Sequence, residues 1–326
     1  MIDRFRFASM ALVLAILTCA ASAQDYPGKP ITLIVPCAAG GGTDAMARIV
    51  AEHMSLTLRQ PVLVENLVGA GGIIGSRRAA RAAPDGYTIV MAGLGSHVAG
   101  MGLYLEPGYD PLKDFESVSL VAYLPLFLAV KKSFPANTFS EFAALLKADP
   151  GKYTYGSAGI GSSAHLACLY LESLLGVKVA HAPFLGAGPA MTALLGEHLD
   201  YTCDAAGPIV SHVKTGAVKA LVIAGRNRML ALPNMPTAAE VGIPKFVVYG
   251  WNMIMAPKGV PVPVADKLQA AVLAAIRDPA VAKRIVDSGA EIALPEERGQ
   301  KAGNEFLQAE LDRWLPLMKA AGVKPQ

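Results

Sequence analysis

The sequence predicts an α/β protein with two lobes around a cleft, and three observations carry that expectation. Short β-rich apolar runs alternate with segments of helical length, the pattern of a doubly wound parallel sheet. A strand, a glycine-rich loop and a helix follow one another twice, around residues 31–58 and again around 153–175. At 326 residues the chain has the length of two domains, and 53 % hydrophobic against 17 % charged residues supplies ample apolar material for their cores.

The first unit opens at Pro30, followed by Ile31-Thr32-Leu33-Ile34-Val35, a run short enough for a buried strand. The glycine-rich loop 36–42 comes next, and Thr43 or Asp44 can cap a helix from Ala45 to about Leu58. Arg48 lies four residues after Asp44, the spacing of a local ion pair. Val62-Leu63-Val64 reads as a second strand. Gly69-Ala70-Gly71-Gly72 then leads into a helix over 73–82. Ala83-Pro84-Asp85-Gly86 is a turn, because proline pre-sets φ and glycine accepts φ > 0. Residues 87–91 form the third strand.

The pattern restarts with an apolar strand at 124–130 and a helix at 140–148 closed by Asp149-Pro150-Gly151. A short strand at 153–155 precedes the second glycine-rich loop, 156–163, and a helix over 164–175. A strand at 177–180, a helix at 187–195 and strands at 199–203 and 220–224 follow. Residues 225–244, rich in Pro, Asn and Gly, read as a long connection. The closing third is mostly helical: 264–277, a helix entered through Asp278 and Pro279, and 304–321.

The N-terminus reads as an export signal. Arg4 and Arg6 form a positive region, Met10 to Ala20 is an apolar run too short to span a bilayer, and Ala21-Ser22-Ala23 is a cleavage site. The mature chain is expected to begin at Gln24. Thr18 before Cys19 fits a lipid-anchor site poorly. With the signal removed, Cys37, Cys168 and Cys203 remain; an odd number excludes a complete disulfide framework. One bridge is possible, and buried free thiols are favoured. A net charge of +3 with scattered basic residues is too small to imply a nucleic-acid partner, and none is expected; Arg77, Arg78 and Arg81 are the nearest thing to a cluster and read as a solvated helix face.

Both glycine-rich loops lead into helix N-termini, where unpaired N–H groups and a partial positive charge attract anions. In open α/β sheets such loops lie at the carboxyl ends of strands, where ligands bind. Three consecutive glycines, 40–42, exceed what a tight turn requires and favour close approach of a ligand to the backbone. Cofactor motifs fail. Gly159-x-Gly161-x-x-Ala164 lacks the acidic residue of a dinucleotide site, neither loop carries Gly-Lys-Ser/Thr, and Tyr155 stands where a nucleophile elbow around Ser157 needs glycine. The six histidines have no metal-ligand spacing. His165 either packs at a helix start or faces a ligand. Asp204, at a strand end, is solvated, binds an amine or hydroxyl of a ligand, or caps the loop.

At these loops the sequence resembles the substrate-binding receptors of tripartite tricarboxylate transporters, the Bug receptors. The matching residues include Pro30-Ile31-Thr32-Leu33-Ile34-Val35-Pro36, Ala39-Gly40-Gly41-Gly42-Thr43-Asp44, Glu65-Asn66, Gly69-Ala70-Gly71-Gly72 and Pro84-Asp85-Gly86-Tyr87. Tyr155-Gly156-Ser157-Ala158-Gly159, Gly161-Ser162, His165-Leu166, Leu232-Pro233 and Trp251 continue it through nearly the whole mature chain. The resemblance implies a two-lobed type II periplasmic-binding-protein fold that closes on its ligand, with a carboxylate held by main-chain N–H groups of the two loops. Four positions depart from the family pattern. Cys37 replaces an aromatic, Phe184-Leu185-Gly186 replaces Tyr-Lys-Gly, and Val68 replaces proline; a more apolar distal pocket is the consequence expected.

The expected protein is a periplasmic, monomeric receptor that captures a small carboxylate, hands it to membrane transporter subunits, uses no cofactor or metal and performs no catalysis. Its lobes are residues 24–122 with 248–326, and residues 123–247. The ligand set is Cys37, Ala39, Gly40, Gly41, Thr43, Ser157, Ala158, Gly159, Gly161, Ser162, His165, Phe184, Ala187 and Asp204. An α/β enzyme of transferase type using the same loops, or a sensor for a membrane signalling protein, are the alternatives.

Overall fold

The structure is a computed structural model that describes residues 26–229, 231–320, 322, 323 and 325, without the side chains of 206–208. The signal segment 1–23 and its cleavage after Ala23 lie outside the described residues.

The first unit forms as its periodicity dictates. Strands β1 (Ile31–Val35), β2 (Val62–Asn66) and β3 (Thr88–Ala92) are parallel and lie in the order β2-β1-β3. Helices α1 (Gly42–Leu58) and α2 (Ile73–Ala80) connect them, and a short π turn at Gly95–Ala99 with α3 (Gly100–Leu103) follows β3. The second unit holds α4 (Phe139–Ala148), β5 (Thr154–Ser157), α5 (Ser163–Leu175), β6 (Ala180–Pro183), α6 (Ala187–Leu195), β7 (Tyr201–Ala205), α7 (Ala206–Lys214) and β8 (Val218–Ile223). The chain then returns through β9 (Tyr249–Pro257) to α8 (Val262–Arg277), α9 (Pro279–Asp287), β10 (Glu291–Ile292) and α10 (Gln300–Ala320).

Strand β4 (Phe115–Lys131) joins the two units. Phe115–Pro125 runs antiparallel to β9, while Leu126–Val130 runs antiparallel to β7 and Phe127–Lys131 antiparallel to β8, so one strand serves both lobes. Where it changes partner, Leu126 donates to the Val248 carbonyl at 3.4 Å and accepts from the Ala224 amide at 2.7 Å. Val248 in turn donates to Ala224 at 2.8 Å. Buried side chains cover both faces of the sheet: Met46, Val50, Val272 and Ile285 among others on one, and Phe134, Phe142, Trp251 and Trp314 among others on the opposite one.

Several expectations need correction. The sheet is mixed rather than parallel, because β9 runs against β3 and β4, and β4 against β7 and β8. The strand expected at 177–180 begins at Ala180. Gly176 takes a left-handed conformation (φ 69°) and the Val177 amide bonds back to Glu172, so these residues finish α5 instead. The favoured reading of free thiols is overturned: Cys168 and Cys203 form a disulfide with Cα atoms 5.4 Å apart, and Cys37 is free. Helix α5 packs on β7, and that packing brings together two thiols 35 residues apart.

Candidate functional site

Glycine-rich loops of the two units meet between the lobes. A Cβ on Gly95 would stand 3.1 Å from the Gly161 carbonyl oxygen, and one on Gly71 would stand 3.2 Å from that of Ile160. Side chains at 71 and 95 would therefore hold the loops apart. On another rim, a Cβ on Gly186 would lie 3.6 Å from that of Ala38. The starts of α1, α5 and α6 border this junction.

Helix α1 begins after Gly41, whose N-cap position carries no side-chain acceptor. Helix geometry leaves the N–H groups of Gly42 and Thr43 without intrahelical acceptors. The loop before them is fixed from below by Asp44, which is buried. Its Oδ2 accepts the Gly40 amide at 2.9 Å and Arg48 Nε at 3.1 Å, and its Oδ1 accepts Asn66 Nδ2 at 2.9 Å. Asn66 Nδ2 also donates to the Cys37 carbonyl at 3.1 Å. Burial raises the Asp44 pKa, but Arg48, the Gly40 amide and Asn66 outweigh it and hold the carboxyl below its ordinary value. The expected Asp44–Arg48 ion pair is present; the expected helix cap is not, since Asp44 reaches back to Gly40 from inside the first turn. Thr43 Oγ1 accepts from Asn252 Nδ2 at 3.1 Å, and the buried Asn252 Oδ1 has no partner among the described residues. Cys37 is half-buried, and burial pushes its thiol up to about 12, so it stays protonated at neutral pH.

The second loop is held by its own side chains. The Ser157 hydroxyl lies 2.7 Å from His181 Nε2 and 3.0 Å from the Gly159 carbonyl oxygen, and accepts the Gly159 amide at 3.2 Å. His165 Nδ1 accepts the Gly161 amide at 3.2 Å, which requires a neutral ring. The ring stacks on His181 with centroids 4.3 Å apart. Burial, and then the neighbouring His181, push His165 down to about 4; burial does the same to His181. Ser162 caps α5 through its hydroxyl, which accepts the His165 amide at 3.2 Å, while its own amide donates to Gly159.

These bonds sort the residues expected to bind ligand. The amides of Gly40, Gly159, Gly161 and Ser162 are committed inside the protein, and Ser157 and His165 shape the loop from beneath it. Those four amides therefore already have acceptors within the protein. Ala39, Gly41, Thr43 and Ala158 lie on the two loops. Phe184 is half-buried against Leu194 and its neighbours, Leu185 is 95 % exposed on the rim, and Ala187 begins α6. Asp204 is buried at the carboxyl end of β7, which removes the solvated alternative. Its Oδ1 accepts the Ala205 amide at 2.7 Å, its Oδ2 has no partner among the described residues, and burial raises it to about 6. Asn66, Asn252, Gly71 and Gly95 were missed as site residues. Glu65-Asn66 and Gly69-Ala70-Gly71-Gly72 lay in the family-like segments, and that was the available signal. Among the described residues, no group of three His, Cys, Asp or Glu side chains is placed to hold a metal ion.

Two lobes sharing one long strand, with helix N-termini gathered where they meet, define a solute-binding protein of the periplasmic-binding-protein type. The chain belongs to the tripartite tricarboxylate transporter family of receptors, whose family model matches residues 46–323. The structure of periplasmic binding protein BugD is 38 % identical and superposes with a TM-score of 0.86, covering 92 % of this chain and 100 % of that one. MatC from Rhodopseudomonas palustris, solved with bound malate, is 39 % identical with a TM-score of 0.85, over 90 % of this chain and 99 % of its own. Rpa4515 of R. palustris, solved with adipate, is 28 % identical with a TM-score of 0.86, over 93 % and 100 % of the two chains. Among the described residues no helix is long and apolar enough to cross a membrane.

Proposed function

We propose that this chain is an exported receptor that captures a small carboxylate between its lobes and delivers it, unchanged, to the membrane subunits of a tripartite transporter. The observation that carries the reading is the approach of both helix starts to Leu124 and Gly250. A Cβ on Gly42 at the start of α1 would lie 3.1 Å from Leu124, and one on Gly250 would lie 3.6 Å from Ser163 at the start of α5 and 3.7 Å from Leu124, so unpaired N–H groups of both helices border one region. The carboxylate donors are the amides of Gly41, Gly42 and Thr43 on one side and of Ala158, Ser163 and Ala164 on the other. Asp204 Oδ2 takes a hydroxyl or amine of the ligand. Malate in MatC and adipate in Rpa4515 support a carboxylate class. Residues 24–122 with 248–326 move as one lobe and 123–247 as the other, flexing where β4 changes partner at Leu126.

An apolar ligand body is the further part of this reading. Leu185 faces solvent, so the reading rests on Phe184 and Cys37. A second buried carboxylate without its own donors costs several kcal/mol, whereas an apolar body gains ~25 cal/mol per Å² buried. Calorimetric titration with malate, adipate, citrate and a benzoate-type acid, with product analysis, tests each part. Binding of one or more acids without turnover is expected. Binding of none would end the receptor reading. Tight citrate binding with no benzoate-type binding would end only the apolar-body reading, and turnover would end the claim of unchanged delivery.

A further inference from the structure

Helix α2 begins beside Gly71 at the lobe junction and carries Arg77 and Arg78 in its last turn, with Arg81 just beyond. These arginines line a surface groove of about 490 Å³ with Ile74, Ala82 and Thr88. Thr88 opens β3, so the groove sits at the end of that strand opposite the lobe junction. We propose that the groove is the docking site for an acidic segment of a partner protein, one that sets carboxylates beside an apolar side chain.

The charges in the groove are mostly unmatched. Arg77 Nε donates to the Pro107 carbonyl at 2.8 Å and Nη2 to that of Glu106 at 3.2 Å. Neutral carbonyls fix the guanidinium in place and leave its charge uncompensated. Arg78 pairs with Glu65 at 2.6 Å on the exposed surface. Arg81 is exposed and has no carboxylate partner among the described residues. Two positive charges therefore stand over one groove, an attraction for carboxylates that neither a lone surface arginine nor a matched pair provides.

Size and wall chemistry select the occupant. The groove is open to solvent and, at about 490 Å³, far exceeds a lone small anion, which fills the space of only a few waters at ~30 Å³ each. Ile74, 52 % exposed, forms an apolar wall within the basic rim, and arginine beside apolar side chains is the composition of protein–protein contacts. The site lies away from the cleft, so docking and ligand capture can coexist. It also sits on a helix whose entry touches Ile160 of the other lobe, which gives a docked partner a direct contact with an element at the closure point.

Fluorescence anisotropy with a short labelled Glu/Leu peptide tests the proposal, with a Gln/Leu peptide, inorganic phosphate and phosphatidylglycerol vesicles as comparison arms. The Glu/Leu peptide should bind and the Gln/Leu peptide should not. Arg78→Glu with Arg81→Glu should weaken peptide binding by about tenfold or more, as should raised salt, since steering and affinity here are electrostatic. Arg81→Gln alone should weaken it less and keeps the Arg78–Glu65 pair. Carboxylate binding in the cleft should be unchanged in both variants, which separates this proposal from the receptor reading. Failure of the peptide to bind, binding indifferent to charge reversal, or preferential binding of phosphate or vesicles through the same arginines would each overturn it.

Discussion

Asp44 Oδ2 accepts the amide of Gly40 at 2.9 Å, so the residue that opens the glycine triplet is tied to the helix that follows it. The same carboxylate holds Asn66 and Arg48, and Asn66 holds the Cys37 carbonyl. The shape of the first loop therefore depends on one buried acid. Asp44→Ala strands buried donors and should cost about 2–4 kcal/mol of stability. Because its pKa is lowered in the fold, the acid's contribution is present above its ordinary value of 3.8 and lost as pH falls below it. Chemical denaturation of the variant at neutral pH checks the first statement. A change under 0.5 kcal/mol would show that the loop holds itself.

His165 sets a second dependence on pH. The folded ring titrates near 4 against an ordinary 6.5, so the unfolded chain takes up its proton first. Stability from this group is complete above pH 6.5 and drains away as pH falls toward 4. Asp204, raised to about 6, and Glu172, raised to about 7, act with the opposite sign, since each costs stability as pH rises from its unfolded value to its folded one. His165→Asn retains an acceptor near the Gly161 amide but does not titrate. Melting curves of both proteins should differ by a constant amount above pH 6.5 and by a changing amount between 6.5 and 4. A constant difference throughout would remove His165 from the acid response.

Gly95→Val probes the lobe junction. The added side chain meets the Gly161 carbonyl, 3.1 Å from Cβ, and Ser162 Cα at 3.7 Å, both in the opposite lobe. Gly95 has no positive φ, so its own backbone accepts valine. The variant should fold with a nearly unchanged melting temperature, bind carboxylate at least about tenfold more weakly and show a larger radius of gyration in small-angle scattering with ligand. Full affinity with an unchanged profile would mean that contact at Gly95 is unnecessary for binding.

The Cys168–Cys203 bridge ties α5, whose start borders the site, to β7, which ends in Asp204 and Ala205. For a separation of 35 residues, loop-closure entropy gives about 4 kcal/mol as the upper figure for its contribution. Replacing both cysteines by alanine should lower stability by about 2–4 kcal/mol. The Cys37→Ser variant should leave it within about 0.5 kcal/mol, as expected for a half-buried thiol outside the bridge. Equilibrium denaturation of the two variants distinguishes them, and equal losses would contradict the structure.

Local sequence carried the first unit well. Ile31 to Val35, the glycine triplet and the helix that begins at Gly42 each follow from β-branched content, turn chemistry and periodicity within a few residues. The first half of β4 and all of β9 were not legible. Both are buried on two faces, so Phe115 to Leu124 and Tyr249 to Pro257 lack the alternation that marks a half-exposed strand, and Glu116, Ser117, Ser119 and Asn252 interrupt the apolar run. Antiparallel pairing of β4 with β9 depends on residues more than a hundred positions apart.

The same division holds at the site. Sequence alone determined that two helices start from small-residue loops and leave N–H groups to offer an anion, because helix ends and glycine conformations are local properties. Tertiary structure decided which donors remain. Ser157 meets His181 across 24 positions, Asp44 meets Asn66 across 22, and Cys168 meets Cys203 across 35. A hydrogen bond or disulfide forms with whatever group packing brings within reach, and chain periodicity carries no record of that neighbour.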